Sequence, residues 1–250
     1  MRLSLRDLTV HYGKRVALEG VKFDARGGEV VALIGPNGSG KSTLLRAIAG
    51  LQRHAGGVVV LEGATREAIG FMPQDTGARA ALTVLETVLL GRRRALGWRV
   101  PGAELARAAE VLRQLGIATL AGRLLGELSG GQRQLVFLAQ LLAAEPRVLL
   151  LDEPTSALDI RHTLSLLALV RELTRGRGLV TIIAIHDLNA AARFADRVAL
   201  LCEGRLLAEG RPDGVLTEAT IARAYGVHAH VHAAPDGHIA ISPSHALGAA

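Results

Sequence analysis

Aromatic residues are scarce: phenylalanine, tryptophan and tyrosine together make up 3% of the 250 residues. No stretch interleaves aromatic and basic side chains as a base-stacking surface would, so nucleic acid is not an expected partner despite a net charge of +6. Lysine is also rare, at positions 14, 22 and 41 only, and arginine carries the rest of the positive charge. One cysteine, Cys202, excludes an intrachain disulfide and agrees with a reducing compartment. It lies in the apolar run 198–202, where packing is its expected role. Although 49% of the residues are hydrophobic, no run reaches the ~18 uninterrupted apolar residues of a membrane span. Residues 1–10 lack the apolar segment of a secretory signal, so the expected compartment is the cytosol. There is no internal repeat and no long low-complexity segment. The length allows one large domain or two small ones, with ample chain to bury a core.

What is present is organised around Gly35-Pro36-Asn37-Gly38-Ser39-Gly40-Lys41-Ser42-Thr43, a match to the phosphate-binding pattern G-x-x-x-x-G-K-[ST]. Residues 29–34 (EVVALI) read as a buried strand. From Ser42, apolar Leu44, Leu45, Ile48 and Ala49 recur at helical spacing. Strand, glycine loop and helix N-terminus together make an anion site of inward-pointing N–H groups. Glycine is needed where a Cβ would block close approach. Lys41 supplies a mobile charge for the β- and γ-phosphates, and Ser42 a hydroxyl for Mg²⁺.

Around this loop the pattern alternates between strand and helix. Residues 3–10 and 16–23 read as paired strands, with Tyr12 between them. Tyr12 fits two readings, a half-exposed strand aromatic or a platform for a purine ring. Residues 56–61 and 69–72 are further strands, the second leading into Pro73-Gln74-Asp75. Thr83 and Glu86 have capping-box spacing and open a helix through Leu90. The basic stretch 91–99, with Trp98, reads as a solvated loop or a docking edge near a membrane. Residues 104–115 form an amphipathic helix. Leu128-Ser129-Gly130-Gly131-Gln132 precedes a helix over 133–144; Ser129 and Gln132 can cap it, and the double glycine would also let a phosphate approach.

Residues 148–153 (VLLLDE) are a buried strand ending in two carboxylates. Such acids form salt bridges at a strand end, or else face the ligand crevice, where Asp152 would hold hydrated Mg²⁺ and Glu153 would act on water. A turn at 154–159 opens a helix over 160–174. Residues 179–185 are another buried strand, ending at His186, which is either a γ-phosphate donor or a surface histidine. Residues 198–202 and 205–208 read as a hairpin, and 217–225 as a helix stopped by Gly226. Beyond it lies a segment with histidines at 228, 230, 232 and 238, whose spacing makes no case for a metal site.

Taken together these residues resemble one family, the ATP-binding cassette (ABC) ATPases. Tyr12 matches the adenine-stacking tyrosine, 35–42 the phosphate loop, Gln74 the Q-loop, and 128–132 (LSGGQ) the signature. Residues 148–153 match the second nucleotide motif, 156–159 the D-loop and His186 the switch histidine. The resemblance covers about residues 2–226. It implies an α/β P-loop NTPase fold of ABC ATPase type, with an antiparallel β region and a helical subdomain at about 75–145. The cassette would span 1–227, leaving 228–250 as a C-terminal tail.

The resemblance implies ATP and Mg²⁺ as cofactors and ATP hydrolysis as the activity. It implies catalytic roles for Glu153, His186, Gln74 and Lys41, and metal contacts from Ser42, Gln74 and Asp152. Nucleotide would be held by Tyr12, by 35–43, and by Ser129, Gly130, Gly131 and Gln132 of a second copy in an ATP-sandwiched homodimer. A separate polytopic permease, and through it a substrate-binding protein, would be the transport partners, with the chain peripheral on the cytoplasmic membrane face. Leu89-Leu90-Gly91-Arg92, residues 158–162 (LDIRH), 186–191 (HDLNAA) and 217–227 resemble importers of iron(III)–siderophore, haem or cobalamin type. Alternative implications are another importer cargo or a soluble non-transport ABC ATPase. Two departures stand out: about a dozen residues fewer between Gly63 and Ile69, and no proline after Gly91-Arg92.

Overall fold

The computed structural model describes residues 1–74, 81–92, 100–156 and 158–248. Asp75, Ala157 and positions 93–99 of the basic stretch, with Trp98, lie outside the described residues.

Strands β1 (Arg2–Tyr12), β2 (Arg15–Arg26) and β4 (Gly56–Glu62) form an antiparallel sheet in the order β2-β1-β4. Both paired strands run longer than their apolar cores suggest, because the hairpin register continues to Tyr12 and Arg15. A second sheet has six strands in the order β5-β6-β7-β3-β8-β9. They are β3 (Val30–Ile34), β5 (Ile69–Met72), β6 (Val148–Asp152), β7 (Val180–Ala184), β8 (Arg197–Cys202) and β9 (Arg205–Gly210). The first five run parallel and β9 returns antiparallel from β8. Strands β3, β6 and β7 are buried along their whole length, which is why they read as unbroken apolar runs rather than alternating ones.

Alternate residues of these strands feed two cores. Val31 and Leu33 pack with Leu44, Leu45 and Ile48 of α1 (Lys41–Ile48) and with the inner face of the antiparallel sheet. Ala32 and Ile34 pack on the opposite side, with α5 (Ile160–Arg177) and α6 (Leu188–Phe194) among the covering helices. Each fully buried leucine contributes about 2 kcal/mol of transfer free energy, so the sheet is clamped from both faces and its carboxyl ends are left as the open edge.

Helices α2 (Val84–Leu90), α3 (Gly102–Gln114) and α4 (Gly130–Ala143) pack on one another. The capping boxes at Thr83–Glu86 and Ser129–Gln132 are both formed. The second corrects the helix start expected at 133: because Ser129 is the cap, Gly130, Gly131 and Gln132 are its first turn. The shortened stretch between β4 and β5 contains one 3-10 turn, Arg66–Ala68. Helices α7 (Pro212–Val215) and α8 (Glu218–Tyr225) follow β9, and Gly226, at φ 64°, ends α8.

The segment set apart as a tail forms a hairpin, β10 (Val227–Ala233) with β11 (Ile239–Ala246), packed on α6 and α8. Asn189 of α6 fastens it twice: its Oδ1 accepts from Ile241 N–H at 2.8 Å and its Nδ2 donates to the Ile241 carbonyl at 3.1 Å.

Candidate functional site

Four parallel strands deliver their chemistry to one edge. At the end of β3, Gly35 takes φ 146°, and a Cβ there would lie 2.0 Å from the Leu201 carbonyl oxygen of β8. Only glycine turns the chain at this point. Gly40, at φ 107°, immediately precedes α1, with Ala17 O 2.9 Å from where its Cβ would be. The loop between them is tied to its surroundings by Gly204, in the turn between β8 and β9: its N–H donates to Ser39 O at 3.1 Å, and its carbonyl accepts from Glu19 N–H at 2.9 Å. In the sequence, Glu203 and Gly204 read only as the turn joining the hairpin of 198–202 and 205–208.

Lys41 begins α1 and folds back over the loop. Its ammonium is buried and donates to the carbonyls of Gly35 at 2.8 Å and Pro36 at 3.1 Å. Burial holds its pKa below the ordinary lysine value, against the opposing charges of Glu153 and Asp152. Phosphate oxygens would offer charge-assisted hydrogen bonds, stronger than those to neutral carbonyls. Ser42 Oγ donates to Asp152 Oδ1 at 3.0 Å, while Asp152 Oδ2 is buried with no hydrogen-bond partner. Burial raises the Asp152 pKa above the carboxylate range, and the Ser42 bond acts against it. A hydroxyl and a carboxylate with an unused buried oxygen form an all-oxygen donor set, which fits a hard cation such as Mg²⁺.

Glu153 follows β6 with φ 52°, a left-handed conformation that costs a non-glycine residue about 1–2 kcal/mol. This places its carboxylate between two partners: Gln74, after β5, donates from Nε2 to Oε2 at 2.7 Å, and His186, after β7, pairs through Nε2 with Oε1. A carboxylate only accepts, so His186 Nε2 carries the proton in this arrangement. These groups line one cleft of about 860 Å³, together with Tyr12, Asn37, Gly38, Gly40, Ser42 and Thr43. Tyr12, at the end of β1, is 45% exposed, leaving its ring face available. Arg15, Val16 and Glu203 also line the cleft and were not singled out in the sequence; Arg15 is close to Tyr12 in sequence, and Glu203 sits in a turn with no phosphate-binding signature.

Ser129, Gly130, Gly131 and Gln132 are not among the cleft's lining residues. They form the start of α4, and Gly131 lies against His162 and Leu158. Among the described residues no group of three or more histidine, cysteine, aspartate or glutamate side chains is arranged to hold a metal ion; in the C-terminal hairpin His228 stacks on His245 and meets His230 edge-on. Cys202 is half-buried, and burial raises its thiol pKa.

A glycine loop at the end of a central parallel strand, with two carboxylates at the end of β6, two strands away in the same sheet, defines a P-loop nucleotide-binding ATPase. The ABC transporter family model matches residues 18–156, and the chain belongs to that family. It is similar to the hemin import ATP-binding protein HmuV of Jannaschia sp. (strain CCS1), 41% identical over 254 residues, covering 94% of this chain and 91% of the relative. It is also similar to the ferric enterobactin transport ATP-binding protein FepC of Escherichia coli (strain K12), 38% identical, with 90% and 88% covered. A solved structure of a metal-chelate type ABC transporter in an inward-facing conformation superposes with a TM-score of 0.88 at 28% identity, covering 97% of both chains. The protein is thus an ATP-binding cassette that binds and hydrolyses nucleotide.

Proposed function

We propose that the chain is the ATPase subunit of an importer, energising inward movement of an iron(III)–siderophore or related metal chelate through a separate membrane permease. The observation that carries this reading is the convergence of Lys41, Ser42, Glu153, Gln74 and His186 in one cleft, with Asp152 buried behind Ser42, in a chain whose relatives are hemin and ferric enterobactin transport proteins.

In this reading the loop amides and Lys41 hold the β- and γ-phosphates. Ser42, Gln74 and Asp152 hold Mg²⁺, which supplies charge neutralisation on the phosphates when bound. Glu153 accepts a proton from the attacking water, and its two hydrogen-bond partners orient the carboxylate for that task. His186, protonated at Nε2, can turn from Glu153 towards the γ-phosphate. Tyr12 stacks on the base. Because the signature residues lie outside the cleft, a second copy supplies Ser129 and Gly131 to the same nucleotide.

The permease contact is assigned to a groove of about 760 Å³ between β5 and the helical layer, lined by Phe71, Leu90, Gly91 and Leu141 among others. Gln74 lies two residues beyond the end of β5 and so links this groove to the Glu153 carboxylate. No helix among the described residues is long and apolar enough to cross a membrane; in this reading the subunit sits peripherally, held to the membrane by its permease. The test is co-purification with a polytopic permease, followed by ATPase measurement in proteoliposomes with a chelate-loaded binding protein. Stimulation is expected. Stimulation by a sugar- or amino-acid-loaded system alone would overturn the cargo, and stable association with DNA or ribosomes without a membrane partner would overturn the transport reading.

A further inference from the structure

The signature turn and the D-loop belong to different layers of the molecule. Helix α4 packs chiefly on α2 and α3, while α5 lies under the central sheet. Their N-terminal ends nevertheless meet, beside Leu158, at the side chain of His162 in the first turn of α5. Its backbone N–H and its ring Nδ1 both reach Asp159 Oδ1 at 2.8 Å. Asp159 is the cap of α5, and the His162 backbone first and its ring second hold the Asp159 carboxyl below the usual range. Since the carboxylate accepts, the ring proton sits on Nδ1 and the ring plane is fixed.

The far side of the ring faces Gly131. A Cβ on Gly131 would lie 3.2 Å from His162 Cδ2, 3.4 Å from Cγ and 3.4 Å from Leu158 Cδ2. The ring therefore rests on the bare backbone of the signature turn. Beneath it is a cavity of about 140 Å³ lined by Leu115, Leu135, Leu166 and Leu169 as well as by His162 and Gly131. The two helix ends face each other across this small cavity, with His162 and Leu158 the side chains nearest Gly131.

We propose that His162 is a positioning residue: its ring, anchored through Nδ1 to the D-loop cap Asp159, braces Gly131 and fixes where the signature amides stand relative to the core of the same subunit. This rests on the ATP-sandwich reading, in which the signature turn of one copy closes on the nucleotide of the other. A brace acting within the chain changes closure without touching the cleft that binds nucleotide, because His162 does not line it. It also gives Gly131 a second reason to be glycine, independent of phosphate approach.

The experiment uses the purified full-length chain carrying Glu153→Gln to block turnover, with ATP and Mg²⁺ present. Dimerisation is followed by sedimentation, and MgATP affinity and thermal melting by separate titration and unfolding. Adding His162→Ala is expected to weaken the ATP-dependent dimer at least tenfold while MgATP affinity and Tm stay unchanged. His162→Asn keeps a donor near the Nδ1 position but removes the ring, so it should be as weak as alanine. His162→Phe keeps a ring but loses the Nδ1 donor that anchors it to Asp159, so it should recover only part of the affinity. Full recovery by asparagine, or an alanine variant that dimerises as the parent does, would overturn the brace. A fall in Tm and in MgATP affinity that parallels the dimer loss would make His162 merely structural and would also overturn it. If Glu153→Gln alone stays monomeric at high concentration with ATP, the sandwich reading fails, and the brace with it.

Discussion

Replacing Glu153 with glutamine isolates the chemistry from the binding. The two hydrogen bonds at this carboxylate can survive the change. The amide oxygen can accept from Gln74 Nε2, now 2.7 Å from Glu153 Oε2, and the amide NH₂ can face His186 if the ring proton moves from Nε2 to Nδ1. The contacts of Lys41 with Gly35 and Pro36, and of Ser42 with Asp152, do not involve Glu153. The left-handed backbone at φ 52° is as costly for glutamine as for glutamate, so stability should hardly move. What is lost is the group proposed to accept a proton from water. A positioned general base is worth about 10²–10⁴-fold in rate, or about 2.7–5.5 kcal/mol on the barrier at ~1.36 kcal/mol per decade. Steady-state phosphate release at saturating ATP should fall by at least a hundredfold on the lower of these figures, while equilibrium nucleotide affinity stays within a few-fold. A variant hydrolysing ATP at close to the wild-type rate would remove Glu153 from its role, whatever the geometry of the cleft.

Two further outcomes follow from the loop and its metal side. Gly35→Ala forces a Cβ to within 2.0 Å of the Leu201 carbonyl at a backbone angle alanine rarely adopts, so β8 or the loop must move. A loss above ~4 kcal/mol is expected, a drop in Tm of about 8–16 °C for a chain this long; unchanged melting would mean the contact is not fixed in solution. Asp152→Asn, in Mg²⁺-free buffer, is expected to raise stability at neutral pH. Burial lifts the folded carboxyl above its ordinary 3.8, so between that value and the raised one the folded chain keeps a proton the unfolded chain has released. The free energy of unfolding therefore falls as pH rises through that window. The gain from asparagine should shrink as pH approaches 3.8, and a Tm difference independent of pH would contradict the assignment.

The sequence exposed those parts of the site that are local. The phosphate loop, the strand 148–153 and the capping boxes at Thr83 and Ser129 each depend on residues within a few positions of one another, and each is found in the structure. What stayed hidden depends on contacts across the chain. Gly204 reaches the phosphate loop from 165 positions beyond Ser39, through one backbone hydrogen bond that no side-chain pattern advertises. The C-terminal hairpin has inward-facing Ala229, Val231, Ile239 and Ile241, an alternation too short and too diluted by histidine to stand out. It is fixed instead by Asn189, roughly fifty residues earlier. The start of α4 was misread because glycine is a poor helix former; Ser129 and Gln132 cap the helix across both glycines and outweigh that preference.

The costs of this fold are concentrated where its strands end. Glu153 holds a left-handed backbone, Lys41 is a buried cation hydrogen-bonded to neutral carbonyls, and Asp152 is a buried carboxylate with one oxygen unpaired. None of these helps the chain fold: the first is backbone strain and the other two are desolvated charge. Elsewhere the same strands are uniformly apolar and buried, so nothing in the core requires the exceptions. A polyphosphate with a divalent cation would relieve the second and third together, giving Lys41 anionic oxygens and Asp152 a positive partner. The strain at Glu153 would remain, because it aims the carboxylate between Gln74 and His186, where the proposed mechanism has water lose a proton.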